Sequence, residues 1–259
     1  IIALFPGLFT SQDPRFCELG RSLDGPERGH VFGFDRQGCD IYSRIVHGTS
    51  TSVSVGLIVI LMTFVIGTVI GAVSGFFGGF TDTVLSRVGD IFFSIPYILA
   101  AVVVMSVMVH HRNVLVISLA IGGFAWPVTA RIMRSEILRV KNLDFVMASE
   151  SLGLTRMQTL WRHVLPNAVG PIVIVASLDI GSVVLTAAAL SFLGLGAEIG
   201  YADWGQMISF ARDWILGPPG KPFYFWYVSF WPGIIILLFV LAWNLLGDAF
   251  RDVLDPRSQ

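Results

Sequence analysis

The sequence predicts an all-α protein that crosses a membrane several times. Of its 259 residues, 54% are hydrophobic and only 14% are charged, whereas soluble domains carry about 25% charged residues. The mean hydropathy is +0.74. A membrane-spanning helix needs about 20 apolar residues, and five stretches meet this need, at about 52–75, 91–109, 113–130, 168–196 and 222–247. Backbone polar groups in a bilayer must be hydrogen-bonded internally, so we expect all five to be helices.

The chain opens on an apolar stretch, residues 1–9, that is too short to cross a membrane. Because the chain begins with Ile rather than Met, we interpret this stretch as the outer end of a sixth helix. The alternative, the remnant of a signal peptide, lacks a small-residue cleavage site after it. Residues 10–50 then form a predicted loop outside the membrane. Cys17 and Cys39 both lie in it, and the sequence leaves open whether they form a disulfide or remain two thiols.

The first complete span carries a glycine at every fourth position. This spacing gives a helix one smooth face, which predicts close contact with another helix. The four glycines are Gly67, Gly71, Gly75 and Gly79.

A polar and basic segment between the third and fourth spans predicts two short helices joined by Gly153. The first covers residues 145–152, with Asp144 as a candidate N-cap. The second should start after Thr155, because Thr155 and Gln158 have the spacing of a capping box. A left-handed glycine commonly ends a helix, so Gly153 should set the angle of this elbow.

The second elbow helix has an apolar stripe at helical spacing, which is typical of an amphipathic helix. The stripe contains Met157, Leu160, Trp161, Val164 and Leu165, and the opposite face contains Arg156, Gln158, Thr159, Arg162 and His163. Pro166 should end this helix. Six basic residues mark the segment as cytoplasmic by the positive-inside rule, although the loop at 10–45 has five arginines of its own. They are Arg131, Arg134, Arg139, Lys141, Arg156 and Arg162. We expect an elbow suited to docking on a partner.

Two carboxylates fall within or near predicted spans. Asp90 is three residues after Arg87, which favours a local ion pair over contact with a ligand. Asp179, two residues after Ser177, lies near the middle of the fourth span. A carboxylate at that depth is costly unless it meets a polar group or water, so helix-to-helix hydrogen bonding and lining of a polar path are both open.

The loop at 197–225 is rich in aromatic residues, among them Tyr201, Trp204, Phe210 and Trp214. Residues 204–215 predict a short helix lying at the membrane interface.

The chain lacks the motifs of several function classes. It has no glycine-rich phosphate loop with Lys-Ser/Thr, so it is not predicted to hydrolyse ATP. It has neither H-E-x-x-H nor a nucleophile elbow. His110 and His111 are adjacent with no third ligand nearby, so no metal site is predicted. The net charge of −1 indicates no nucleic-acid surface.

Four groups of residues carry a resemblance to one family. They are Gly33-Phe34-Asp35 with Gly38-Cys39-Asp40, Ser43-Arg44 and Gly48; Met147-Ala148-Ser149 with Gly153 and Leu165-Pro166; residues 189–196, A-L-S-F-L-G-L-G; and residues 244–248, N-L-L-G-D, with Arg251-Asp252 and Asp255-Pro256. In this order they resemble ABC importer permeases of the dipeptide/oligopeptide family, C-type subunit. Three positions depart from that pattern: Met147 replaces the usual Glu, Cys39 the usual Arg, and Ala249 a common Gly.

The resemblance implies a type I ABC importer transmembrane domain of six helices, the first truncated here. Residues 51–259 would form the permease domain and residues 131–167 its cytoplasmic coupling loop. Coupling to the ATPase would use Met147, Ala148, Ser149, Leu152, Gly153, Met157, Leu160, Trp161, Leu165 and Pro166. The candidate path residues are Asp90, Ser177 and Asp179.

The resemblance also implies the surroundings of the chain. It would sit in the bacterial plasma membrane with both termini cytoplasmic, paired with a second permease. Two ATPase domains would bind ATP and Mg, with no cofactor on this chain, and an extracytoplasmic binding protein would deliver cargo. The expected cargo is a peptide, with nickel chelates or another small solute as alternatives. A membrane enzyme or scaffold is a further alternative, but the scattered candidate groups do not favour it.

Overall fold

A computed structural model of the chain describes residues 1–197 and 202–254, which fold almost entirely as helices. Tyr201 and the Asp255-Pro256 pair of the last motif lie outside these ranges. The α-helices are α1 Ile41–Phe77, α2 Gly79–Ser94, α3 Tyr97–Val107, α4 Val114–Val140, α5 Asp144–Ser151, α6 Arg156–Thr159, α7 Leu165–Ala168, α8 Gly170–Leu190, α9 Trp204–Ala211 and α10 Tyr227–Leu254. Two π-helical segments, Leu160–Val164 and Ser191–Leu195, continue α6 and α8.

The five predicted spans correspond to four long helices and one bent pair. The helices α1, α4, α10 and α8 with its π segment are long and apolar enough to cross a membrane. The helices α2 and α3 pass the same test only together, and they meet at a 75° bend. The predicted span at 91–109 is therefore a broken helix that starts earlier, at Gly79. Pro96 at the break has no N–H to continue the helix.

The helix that contains the first span begins at Ile41, so residues 41–50 of the predicted loop are helical. A carboxylate oxygen of Asp40 accepts a hydrogen bond from the backbone N–H of Ser43 at 2.7 Å, which caps the helix. Arg44 in the first turn donates to Asp35 at 2.8 Å, and both side chains are buried. Because its charges are capped or paired, this polar turn is helical before the apolar stretch starts.

Residues 1–9 do not form the predicted end of an α-helix. They contain turns and one 3-10 turn, Pro6–Leu8, since Pro6 lacks an N–H donor. The stretch lies against α1 instead: the Tyr42 hydroxyl donates to the Phe9 carbonyl at 3.2 Å, and the Ser50 hydroxyl donates to Ala3.

The described residues form two compact units. The first contains Ile1–Leu57, Ala101–Ala120 and Gly181–Ala242. A Cys17–Cys39 disulfide closes its loop, which resolves the alternative left open by the sequence. Trp204 on α9 is 1% exposed and donates its indole N–H to the Ile45 carbonyl at 3.0 Å. The predicted interfacial helix is therefore packed inside the unit.

The second unit contains Ile58–Ala100, Ile121–Ile180 and the chain from Trp243 onward. Its main feature is a seam between α1 and α4, where the predicted glycine face meets the backbone of α4. A Cβ atom on Gly71 would lie 2.4 Å from the Ala130 carbonyl oxygen, and one on Gly75 would lie 2.9 Å from the Arg134 carbonyl oxygen. Gly67 packs on Thr129 in the same way. The prediction was wrong only for Gly79, which follows the end of α1.

Candidate functional site

The elbow predicted around Gly153 is present, and its first helix is α5. Leu143 is the N-cap and makes no side-chain hydrogen bond there, and the predicted cap Asp144 is the first helical residue. At the other end the Gly153 N–H donates to the Glu150 carbonyl at 3.0 Å, and the Leu154 N–H donates to the Ser149 carbonyl at 3.3 Å. This pair of bonds is a Schellman motif, with Gly153 at a φ of +87° as predicted.

The second elbow helix begins with the predicted capping box. The Gln158 N–H donates to the Thr155 hydroxyl at 3.3 Å, and the Thr155 N–H donates to the Gln158 side chain at 3.0 Å. Two orphan N–H donors are satisfied in this way immediately after the glycine. The angle of the elbow is therefore fixed on both sides of Gly153.

Pro166 does not end this helix as predicted. A π segment, Leu160–Val164, precedes it, and the Leu165 N–H bonds to the carbonyl of Leu160, five residues back. Pro166 then occupies the first turn of α7, where a proline has no N–H to lose. The wider π turn accommodates a residue that cannot take a normal α-helical bond.

The predicted apolar stripe is divided between two faces. Leu160 and Val164 are buried, as are Val146 and Ser149 of α5, whereas Trp161 is 56% exposed. Thr159, assigned to the polar face, is fully buried. Leu160 and Trp161 are consecutive and so point about 100° apart around a helix, which leaves one edge of the stripe in the core and the other edge exposed.

The buried face of the elbow shares one core with α1 and α4. This cluster contains Ala72, Met133, Ile137, Val140, Val146, Leu160, Val164, Ala168 and Ile172. Each large apolar side chain buried here contributes roughly 1.5–3 kcal/mol. The elbow is thus held rigidly against the end of α4.

The outward face of the elbow carries large apolar side chains beside charged ones such as Glu150 and Arg156. We define the elbow surface by its exposed large apolar side chains, Phe145, Met147, Leu152, Met157 and Trp161. The Trp161 indole N–H lies 3.2 Å from the Met157 sulfur, so these two side chains form one patch. Among the other predicted coupling residues, Ala148 and Pro166 are exposed and Leu165 is partly buried. Contiguous apolar patches outside a membrane mark interaction sites.

A second candidate site is a cavity of about 480 Å³ between α1, α2 and α4. Asp90 lines it, together with Arg131 and Arg134 of α4. Asp90 accepts from Arg131 at 2.8 Å, closer than the 3.9 Å that separates it from its predicted partner Arg87. Ser177 and Asp179 lie on α8, both partly buried, and do not line this cavity. Of the three predicted path residues, Asp90 alone is among the residues that line this cavity.

Sequence reasoning missed the partners of these charges. Arg134 donates two hydrogen bonds to Asp82, each 2.6 Å long. A usable signal was present, because Asp82, Ser86 and Asp90 recur every fourth residue on α2 and so share one helical face.

Asp203, the N-cap of α9, is a buried carboxylate outside the spans. Its Oδ1 accepts from the Gly205 N–H at 3.3 Å. Burial raises the pKa of this carboxyl, and hydrogen bonds from Ser191 and the backbone with the charge of Arg44 offset that rise only in part.

Comparison with known proteins gives matches along most of the chain. Residues 67–259 match the family described as binding-protein-dependent transport system inner membrane component. The dipeptide transport system permease protein DppC of Alkalihalophilus pseudofirmus is 36% identical over 259 residues, covering 100% of this chain and 82% of that protein. The glutathione transport system permease protein GsiD of Pectobacterium atrosepticum is 38% identical, covering 93% and 77%. The probable D,D-dipeptide transport system permease protein DdpC of Escherichia coli is 34% identical, covering 100% and 84%.

The fold is also similar to a solved membrane transporter. A chain of the MetNI methionine ABC transporter, in an inward-facing conformation, superimposes with a TM-score of 0.65 and 19% identity. The match covers 82% of this chain and 96% of that one.

Proposed function

Because the chain belongs to the family of binding-protein-dependent transport system inner membrane components, we propose that it is one permease subunit of a peptide importer. It would form half of the path with a second permease, while two ABC ATPase domains hydrolyse ATP bound with Mg. The observation that carries the proposal is similarity over the full length of the chain to importer permeases, joined to an exposed apolar elbow.

The proposal gives the elbow surface a specific partner, the ATPase subunit. The inner face of the elbow is anchored to α4, and its outer face exposes apolar side chains. The elbow can transmit a displacement to the helices only if a partner protein binds that outer face. Burying the exposed parts of Met147, Leu152, Met157 and Trp161 in a groove would contribute roughly 25 cal/mol per Å². Met147 stands where the family pattern has a glutamate, so this surface docks through apolar contact more than through charge.

Short peptides are the proposed cargo. The three curated relatives are named for transport of a dipeptide, glutathione and a D,D-dipeptide. Nickel chelates and other small solutes are the rival cargo. Ser177 and Asp179 on α8 are proposed to face protein or water along the path, because a carboxylate facing lipid is costly. Peptide uptake by an Asp179→Leu variant that inserts normally tests that placement; unchanged uptake would exclude it.

The proposed orientation places the elbow and both termini in the cytoplasm and the disulfide loop outside. The loop would then meet the binding protein. A Gln158→Cys variant tests this, because Gln158 is exposed and the two native cysteines are joined to each other. A membrane-impermeant thiol reagent should label it only in inside-out vesicles. Labelling in intact cells would reverse the topology.

Reconstitution decides the function. The chain, its second permease, the ATPases and the binding protein are placed in proteoliposomes, and ATP turnover is measured with di- and tripeptides, a nickel chelate and no cargo. Stimulation by peptides alone is expected. Stimulation by the nickel chelate alone would overturn the peptide assignment, and failure of the ATPases to copurify would overturn the permease role.

A matched pair of variants tests the docking surface in the same assay. Trp161→Ala removes an exposed apolar side chain from the elbow and should reduce copurification of the ATPase. Leu216→Ala removes a similarly exposed side chain, 75% accessible, from the loop before α10, and should leave copurification unchanged. Equal effects of the two substitutions would contradict docking at the elbow.

A further inference from the structure

The cavity between α1, α2 and α4 has a lining that is unusual for an apolar helix bundle. Its polar and aromatic lining residues are Ser74, Ser86, Asp90, Trp126, Arg131 and Arg134. The volume of about 480 Å³ falls within the range of about 300–1,000 Å³ typical of sites for small molecules. Ionisable side chains gathered within membrane-spanning helices are functional candidates.

Two ion pairs lie beside this cavity and differ in kind, and Asp82 of the first pair does not itself line it. Asp82 and Arg134 form a bidentate pair, and the hydroxyls of Ser74 and Ser86 donate to the same carboxylate. The Asp82 carboxylate accepts four hydrogen bonds in all, so this pair stabilises the packing of the helices. The second pair, Asp90 and Arg131, is joined by one hydrogen bond of 2.8 Å, and its side chains are 50% and 48% exposed. Asp90 also lies 3.9 Å from Arg87.

An exposed pair with one contact contributes little to stability. The Asp90–Arg131 ion pair can therefore separate to bind a ligand at a small cost in free energy, whereas the bidentate pair cannot. Arg131 keeps a second support when Asp90 is occupied, because its guanidinium lies 3.9 Å from the centre of the Phe93 ring. The cavity thus presents one carboxylate and one guanidinium that are held in place but available.

The balance of charge selects the class of ligand. The lining arginines Arg131 and Arg134 pair with Asp90 and Asp82, and the exposed Arg87 lies 3.9 Å from Asp90, so groups of both signs face a ligand. A phosphate headgroup would meet both signs and gain little, whereas a molecule that carries an ammonium and a carboxylate finds a partner for each. Trp126, 5% exposed, supplies an apolar wall for a side chain between them.

We propose that the Asp90–Arg131 pair opens to bind a zwitterionic peptide, Asp90 accepting from the ammonium group and Arg131 donating to the carboxylate. The proposal rests on the proposed function, since it gives the path of that importer a subsite in which the two ends of the peptide bind different residues.

A charge swap separates this role from a structural one. The double variant Asp90→Arg/Arg131→Asp keeps the ion pair but reverses its direction. The control is Glu136→Arg/Arg139→Glu, which reverses a pair on α4 with a contact of 2.7 Å and side chains 21% and 60% exposed. Neither position of the control lines the cavity.

The assay is uptake of radiolabelled alanylphenylalanine by reconstituted complexes, with assembly and basal ATP turnover measured on each. In complexes that assemble, the cavity swap should lower uptake by about tenfold or more, the factor expected for losing a charged hydrogen bond. The control swap should stay within about twofold of wild type. If the cavity swap does not assemble, Asp90→Asn takes its place, with the same expected loss.

The outcomes distinguish failure of the subsite from failure of the peptide-importer function. If the assembled cavity variant keeps its uptake within about twofold of wild type, the subsite is overturned and the importer function still stands. Absence of uptake of any zwitterionic peptide by the wild-type complex overturns the peptide assignment and the subsite together.

Discussion

Gly153→Val tests whether the angle of the elbow matters for coupling. Gly153 has a φ of +87°, and a Cβ atom built there meets nothing within 4 Å. The cost of valine is therefore backbone strain and not a clash. A left-handed conformation costs an L-residue about 1–2 kcal/mol, and more for a β-branched side chain. The chain can escape by changing φ, which breaks the bond from Leu154 to Ser149 and alters the angle.

The expected loss of docking follows from that strain. If about 1–3 kcal/mol is lost from ATPase binding, the dissociation constant rises between about 5- and 150-fold. The ATPase should copurify less well with the variant, and cargo should no longer raise ATP turnover. The helices that cross the membrane are not involved, so insertion should be normal.

Two controls isolate the cause. Gly153→Asn adds a Cβ at the same place, but asparagine tolerates the left-handed conformation and should retain most of the coupling. Gly170→Val adds valine at a glycine that also has open space but no positive φ, and should have little effect. Full cargo stimulation in an assembled Gly153→Val complex would refute the reasoning.

Three further predictions concern packing, the disulfide and pH. Gly71→Val should lower the thermal stability of the detergent-solubilised complex by several degrees, because its Cβ would lie 2.4 Å from a backbone oxygen of α4; an unchanged melting temperature would exclude a tight seam. Cys17→Ser should expose the loop at 10–40 to limited proteolysis, since a disulfide closing a loop of 22 residues is worth about 3 kcal/mol; equal cleavage rates would contradict it. Burial raises the pKa of Asp203, so its ionised form is the unfavourable one in the folded state. Asp203→Asn should therefore stabilise the protein near pH 7–8, and this gain in stability should vanish below about pH 4. A gain that persists at acid pH would count against this.

The sequence was sufficient where the rule is local. The left-handed glycine, the capping box of Thr155 and Gln158, and the glycine face of α1 each follow from spacing within a few residues, and the structure has all three. Apolar length located the spans for the same reason. These features form wherever that stretch of chain is placed.

The elbow shows where a local pattern misleads. The period of 3.6 placed Trp161 and Leu160 in one stripe, but only the Leu160 edge of that stripe meets the core, and Trp161 is exposed. The π segment Leu160–Val164 was a second feature that was missed. Nothing within the stripe itself indicates a π turn. Pro166 gave the only hint, since a proline at that position must be accommodated or must end the helix.

Long-range partners were the other gap. Trp204 was predicted at an interface, yet it is buried because Gly48 and Gly205 allow close approach, and its bonding partner Ile45 is 159 residues away. Asp90 was paired with its neighbour Arg87, while its closer partner Arg131 is 41 residues away. Such contacts depend on how helices pack, which periodicity does not contain.

The seam between α1 and α4 has a mechanical consequence. Glycines at three successive turns bring the two helix backbones into contact, and the Lys141 ammonium donates to the Gly75 carbonyl at 2.7 Å at the end of the seam. Close packing resists both sliding and bending, so we expect the two helices to move together as a rigid body. The elbow packs against the end of this helix pair. A displacement of Trp161 should therefore move both helices together instead of being absorbed by a flexible connection between the elbow and the helices.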